Sequence, residues 1–210
     1  MKNKFFAPLA LMLIIVVVSA STAEMKPVDL PPAHVSAAER AMVGPPLDAV
    51  ENEVRWQVGS GGQNAHGRML GLVDAPGREG RCLEVSYAWK QPANKIEYLE
   101  LEPTWDVTPD GERRALVFSV KADASLKNST VRYRIRDATG KTLQGNFGRI
   151  RGTGWIRLAA RLDQPSGGWG GDDDGEIDYP ATLESLLFDR PPDDPDAEGT
   201  LLVDDIRWAR

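Results

Sequence analysis

The sequence predicts an all-β protein built as a two-sheet antiparallel β-sandwich. Three observations carry this expectation. Val131-Arg-Tyr-Arg-Ile-Arg136 alternates apolar and cationic residues at period two, the pattern of a strand with one buried face. Apolar runs of strand length recur at intervals of about 8–15 residues, with Gly, Pro and Asp between them. Helical periodicity is weak, apart from a turn near Pro180–Ser185.

At the N-terminus, Lys2 and Lys4 precede an unbroken apolar run from Leu9 to Val18, and Ser21-Thr-Ala23 supplies small residues for cleavage. That order of charge, apolar stretch and small residues predicts a signal peptide over 1–23 and a secreted or periplasmic product. The run is shorter than the ~20 residues a transmembrane helix needs, so no membrane insertion is expected after cleavage. Residues 24–46 read as a Pro-rich tether, because Pro27, Pro31, Pro32, Pro45 and Pro46 deny the backbone its ladder hydrogen bonds. Within it, 35–43 has the composition of one short helix.

From 47 to 210 the chain is long enough for one domain with a real core. Strands are predicted at Val54–Val58, Leu83–Trp89, Ile96–Leu101, Ala115–Ala122, Val131–Arg136, Thr142–Arg149, Trp155–Arg161, Leu183–Asp189 and Leu201–Trp208. Asp137-Ala-Thr-Gly140 supplies a turn joining two of them, with a glycine free to take positive φ. Cys82 is the one cysteine, so no intramolecular disulfide forms, and its strand context predicts a small buried apolar group. Loss of Lys2 and Lys4 with the leader takes the formal charge from −6 to −8. That balance excludes nucleic acid as a partner, since such binding depends on clustered Lys and Arg.

The last strand carries an acidic pair, Asp204-Asp205, inside otherwise core-forming residues. Two carboxylates there need a cation or an exposed edge; calcium with oxygen ligands and a solvent-facing sheet edge are the two readings. In the strand 131–136, Arg132, Arg134 and Arg136 share one face and repel one another unless acids or a ligand meet them. Either they pair with Glu97, Glu100 or Asp189 on adjoining strands, or they line a groove with Gln144 and Asn146. Trp169 lies among Gly167, Gly168, Gly170 and Gly171, which leave little to bury it; with Tyr179 it is a candidate aromatic platform for a sugar ring. Trp155 reads as core.

Several segments together resemble secreted bacterial carbohydrate-binding modules with the galactose-binding-like jelly-roll fold, near family 11 and related modules. They are Glu51-Asn-Glu-Val-Arg-Trp56, Cys82–Trp89, Ala115–Asp123, Tyr133–Gln144, Gly152-Thr-Gly-Trp155, Trp169-Gly-Gly and Gly199–Ile206. The resemblance implies a non-catalytic domain that binds polysaccharide or glycan, found with polysaccharide-active enzymes. It also implies a structural calcium, carried here by Glu51 or Glu53 with Asp204 or Asp205, plus backbone carbonyls. The expected ligand-binding set is Arg132, Arg134, Arg136, Gln144, Asn146, Trp169 and Tyr179.

Two other functions compete. Glu176-Ile-Asp178 matches half of the Glu-x-Asp-x-Glu strand motif of jelly-roll glycoside hydrolases, but Pro180 stands where the last carboxylate belongs. The alternative of a periplasmic or surface scaffold for a protein partner rests on the same groove. Asp172–Asp178 holds five acids in seven residues; its glycine spacing fails the EF-hand pattern, which leaves a solvated acidic loop or a loose ion site. His34 and His66 are the two histidines, and no nucleophile elbow accompanies them.

Overall fold

The computed structural model describes residues 43–48, 50–91, 97–106, 108, 115–172, 174 and 176–209. The predicted signal peptide, most of the tether, its short helix and His34 lie outside them.

Twelve strands are present among the described residues: β1 Val43–Asp48, β2 Trp56–Gly61, β3 Ala65–Asp74, β4 Arg81–Trp89, β5 Tyr98–Pro103, β6 Ala115–Ala122, β7 Thr130–Arg136, β8 Thr142–Arg149, β9 Ile156–Arg161, β10 Gly167–Trp169, β11 Thr182–Asp189 and β12 Glu198–Ala209. They form two antiparallel sheets packed face to face. Sheet I has the order β3-β4-β12-β6-β9, with β1 pairing to the end of β12, and sheet II the order β10-β8-β7-β11-β5-β2. This is the predicted all-β sandwich.

Alternation decides which face of each strand is buried. Leu83, Val85, Tyr87 and Trp89 of β4 point inward, as do Leu116, Phe118, Val120 and Ala122 of β6 and Val131, Tyr133 and Ile135 of β7. At the centre, Phe118 meets Phe147 and Phe188 edge-on, with ring centroids 5.0 and 6.2 Å apart, so both sheets share one aromatic contact. The Tyr133 hydroxyl donates to the Arg161 carbonyl at 2.7 Å, a second tie from sheet II to β9. Cys82 is fully buried, and burial pushes its thiol up to about 11.

β12 shows why two acids can sit in a core strand. Leu201 and Val203 face inward before them, Ile206 and Trp208 after them. The pairing with β6 slips between Asp204 and Arg207, and Asp205 takes φ 55. One extra residue resets the pleat, so the apolar face survives on both sides of the carboxylates.

The predicted turn closes β7 onto β8. Asp137 Oδ1 accepts from the Thr139 and Lys141 amides at 3.0 and 2.9 Å, and Gly140 takes φ 85. Other expectations shift. β3 was not among the predicted strands; this edge strand of sheet I is half exposed, broken by a bulge at Met69–Gly71, and so lacks clean alternation. β1 and the three-residue β10 add two more strands, and the boundary placed at 46 falls inside β1. The turn of helix near Pro180–Ser185 is instead the approach to β11, whose Leu183 packs inward opposite Ile135. Trp155 precedes β9 and is half-buried outside the inter-sheet core.

β7 and β8 approach closely because Gly145, between Gln144 and Asn146, lies directly over the Tyr133 ring, where a Cβ would overlap it. Gly145→Ala is expected to force β8 away from β7 and destabilise the domain by about 1–3 kcal/mol, read as a lower midpoint in urea with an unchanged slope.

Candidate ligand-binding groove

The outward face of sheet II carries the polar half of each strand. β7 contributes Arg132, Arg134 and Arg136; Asn146, Gln144 and Thr142 of β8 stand opposite them in register. On the other side β11 presents Glu184, Ser185 and Asp189, and β5 beyond it presents Tyr98, Glu100 and Glu102. Every arginine of β7 meets an acid: Arg132 pairs with Asp189 and Arg136 with Glu184 of the adjacent β11, and Arg134 with Glu100 of β5, one strand farther on, at 2.9 Å. Burial pushes the Asp189 carboxyl above its ordinary value against the pull of Arg132.

Arg134 is the most constrained of the three. Its Nη2 donates to the Tyr98 hydroxyl at 3.1 Å and its Nε to Gln144 Oε1 at 3.3 Å. The guanidinium carbon lies 4.9 Å from the centroid of Tyr98 and 5.4 Å from that of Trp169. Glu100 Oε1 takes a further hydrogen bond from Ser185 at 2.7 Å. The ion pairs and the hollow therefore coexist. Above this floor runs an open groove of about 600 Å3, reaching from Trp169 at the β10 edge to Trp105 and Asp106 at the end of β5.

Trp169 is 50% exposed, as the flanking glycines predict. Trp105 is half-buried, edge-on to Trp56 at 5.5 Å and covered by Arg55 at 4.0 Å. Of the seven expected ligand residues, Arg134, Arg136 and Trp169 line the groove, and Gln144 braces Arg134. Arg132 lies farther along the face against Asp189. Asn146 turns its Oδ1 to the Gly148 amide at 2.6 Å, and Tyr179 is exposed beyond the groove lining. Sequence reasoning missed Tyr98 and Glu184. For Tyr98 a signal existed: Tyr98-Leu-Glu-Leu-Glu102 alternates just as β7 does, with acids where β7 has arginines.

No family model and no curated protein matches the sequence. Among solved structures, the family 11 carbohydrate-binding module of a cellulosomal cellulase from Clostridium thermocellum aligns at TM-score 0.55 and 19% identity, over 80% of this chain and 95% of that one. A second structure of the family 11 module from the same organism, in complex with a β-1,3-1,4-mixed-linked tetrasaccharide, aligns at TM-score 0.54 and 18% identity, over 77% and 92% of the two chains. The chain has the fold of these modules.

Among the acids expected to hold calcium, no three bring their oxygens within 4.8 Å of one another. Glu53 pairs with Arg55 at 3.3 Å, and Asp205 pairs with Arg207. Glu51 accepts from the Arg81 amide at 3.0 Å. Asp204 is buried with Arg78 at 3.5 Å; burial pushes its carboxyl up to about 6, and Asp205 and Glu51 add to this against the pull of Arg78. Each carboxylate has a donor of the chain itself beside it, and these acids alone do not supply six to eight oxygens around one ion.

Among the described residues, one group of three acids does bring its oxygens within 4.8 Å of one another: Asp172, Asp174 and Asp178. The buried ammonium of Lys141 already occupies that loop, 3.0 Å from Asp174 and 3.5 Å from Asp172. Burial opposes the charge on Lys141, yet the contacts to Asp174 and Asp172 together outweigh it and raise the pKa. Glu176 and Asp178 lie in this loop and on no strand, so the one-face spacing of the hydrolase motif does not arise.

The floor depends on charge balance. Glu100→Ala strands both Arg134 and Ser185, with an expected cost of about 2–3 kcal/mol in chemical denaturation. The double change Glu100→Leu with Arg134→Met is expected to cost less than the two single changes summed.

Proposed function

We propose that the protein is an exported, non-catalytic module that holds a neutral polysaccharide chain across the groove of sheet II. The observation that carries this reading is the pairing of a half-exposed indole, Trp169, with a hollow whose cations are already neutralised by the fold. An exposed indole offers a flat apolar face to the C–H side of a sugar ring, and ion-paired side chains offer fixed donors and acceptors to its hydroxyls.

The shape favours a chain over a single ring. The groove crosses five adjacent strands from β10 to β5, which at the usual spacing makes it about 19 Å long. Its charge favours a neutral ligand: Glu100, Glu102, Asp106 and Glu184 line it against Arg134 and Arg136. The tetrasaccharide complex of the similar module supports the same class of ligand. Export rests on the leader-like residues 1–23, and an exported polysaccharide binder belongs beside polysaccharide-active enzymes.

Affinity electrophoresis in gels containing mixed-linkage β-glucan, xylan or polygalacturonate tests this. Retardation by a neutral polymer and none by polygalacturonate is expected. Trp169→Ala should weaken binding about tenfold, the effect of losing one stacked ring, while Arg68→Ala on sheet I leaves it unchanged. Failure of every neutral glycan to retard the protein would sink the reading. Reducing-sugar release from the same polymers, with Glu176→Gln as the comparison, should stay at background for both proteins.

A further inference from the structure

We propose that Arg78 is a built-in cation that clamps the last strand to the β3–β4 turn and the entrance to β9, and that it makes the stability of this domain independent of calcium. The β3–β4 turn folds back over the outer side of sheet I: the Ala75 amide donates to the Gly80 carbonyl at 2.9 Å and the Arg78 amide to the Ala75 carbonyl at 3.1 Å. This carries the Arg78 side chain to the β12 bulge, where Nη1 lies 3.5 Å from Asp204 Oδ2. The Asp204 side chain is only 8% exposed and that of Arg78 28% exposed, so the pair is substantially removed from water.

One more segment touches the guanidinium, and another braces the turn that carries it. Its carbon lies 4.9 Å from the ring centroid of Trp155, at the entrance to β9, and the Trp155 indole donates to the Pro76 carbonyl at 2.9 Å. On the far side of the turn, Glu51 accepts from the Arg81 amide at 3.0 Å, and its carboxylate fills the space a Cβ of Gly80 would need. The β3–β4 turn, the entrance to β9 and the β12 bulge thus meet around one arginine, and the segment leading into β2 braces the turn. A divalent ion on Asp204 would sit about 2.3–2.6 Å from its oxygen. It would then face a guanidinium already held against that carboxylate by an indole. A planar cation carried by the chain occupies the place and does the cross-linking.

Thermal denaturation of the full chain, after chelation and again with millimolar calcium, tests the proposal. The wild-type Tm is expected to stay the same in both conditions. Arg78→Ala should lower Tm by about 5 °C or more, since it leaves a buried carboxylate unpaired. Arg78→Lys, which keeps charge but loses the flat stack on Trp155, should fall between. A wild-type Tm that drops on chelation and returns with calcium overturns the proposal. So does an Arg78→Ala protein as stable as the wild type. Should Arg78→Ala fail to fold, the chelation result on the wild type decides alone.

Discussion

The face of sheet II is governed by the need to neutralise three guanidinium groups on one side of one strand. Arg132, Arg134 and Arg136 stand two residues apart on β7, the first two sheltered from water and the last exposed, where unpaired like charges would repel one another. The acids that meet them come from β11, which lies next to β7, and from β5 on its far side. Strand order and charge order are therefore one arrangement. A slip of β11 by a single residue would turn Glu184 and Asp189 to the other face and leave Arg132 and Arg136 unpaired.

This neutralisation has a consequence for recognition. Side chains fixed by ion pairs and ring contacts lose little further freedom when a ligand arrives, which reduces the entropic cost of binding. Arg134, held by Glu100, Gln144, Tyr98 and Trp169, is the clearest instance. Only the rims remain open, and there the half-exposed Trp169 faces Trp105 across the hollow. The glycines of β10 and its flank leave that indole uncovered, at the edge of the sheet where a chain can slide against it.

The same rule extends to the acidic clusters. Asp204 has Arg78, Asp205 has Arg207, and the loop of Asp172 and Asp174 has the buried ammonium of Lys141. Clusters that look like metal ligands in a linear sequence are matched in space by cations of the chain itself, some nearby, as Arg207 is to Asp205, and some distant. Lys141 is 31 residues from Asp172, and Arg78 reaches Asp204 across most of the domain.

Local pattern determined the sandwich. Period-two alternation and Gly, Pro and Asp punctuation located nearly every strand with a fully buried face, because side-chain burial in a sheet follows sequence parity. It missed β1, β3 and β10, which are edge strands or short pairings held by neighbours and not by their own composition. The sequence by itself also determined that the β7 arginines share a face and that Trp169 is exposed. It left open whether those arginines pair or form a hollow, and the tertiary structure decided that both occur. It likewise decided which cation meets each carboxylate. The reason is physical: charge pairing acts between strands brought together by sheet order, and neither parity nor spacing along one strand records which strand lies next to it.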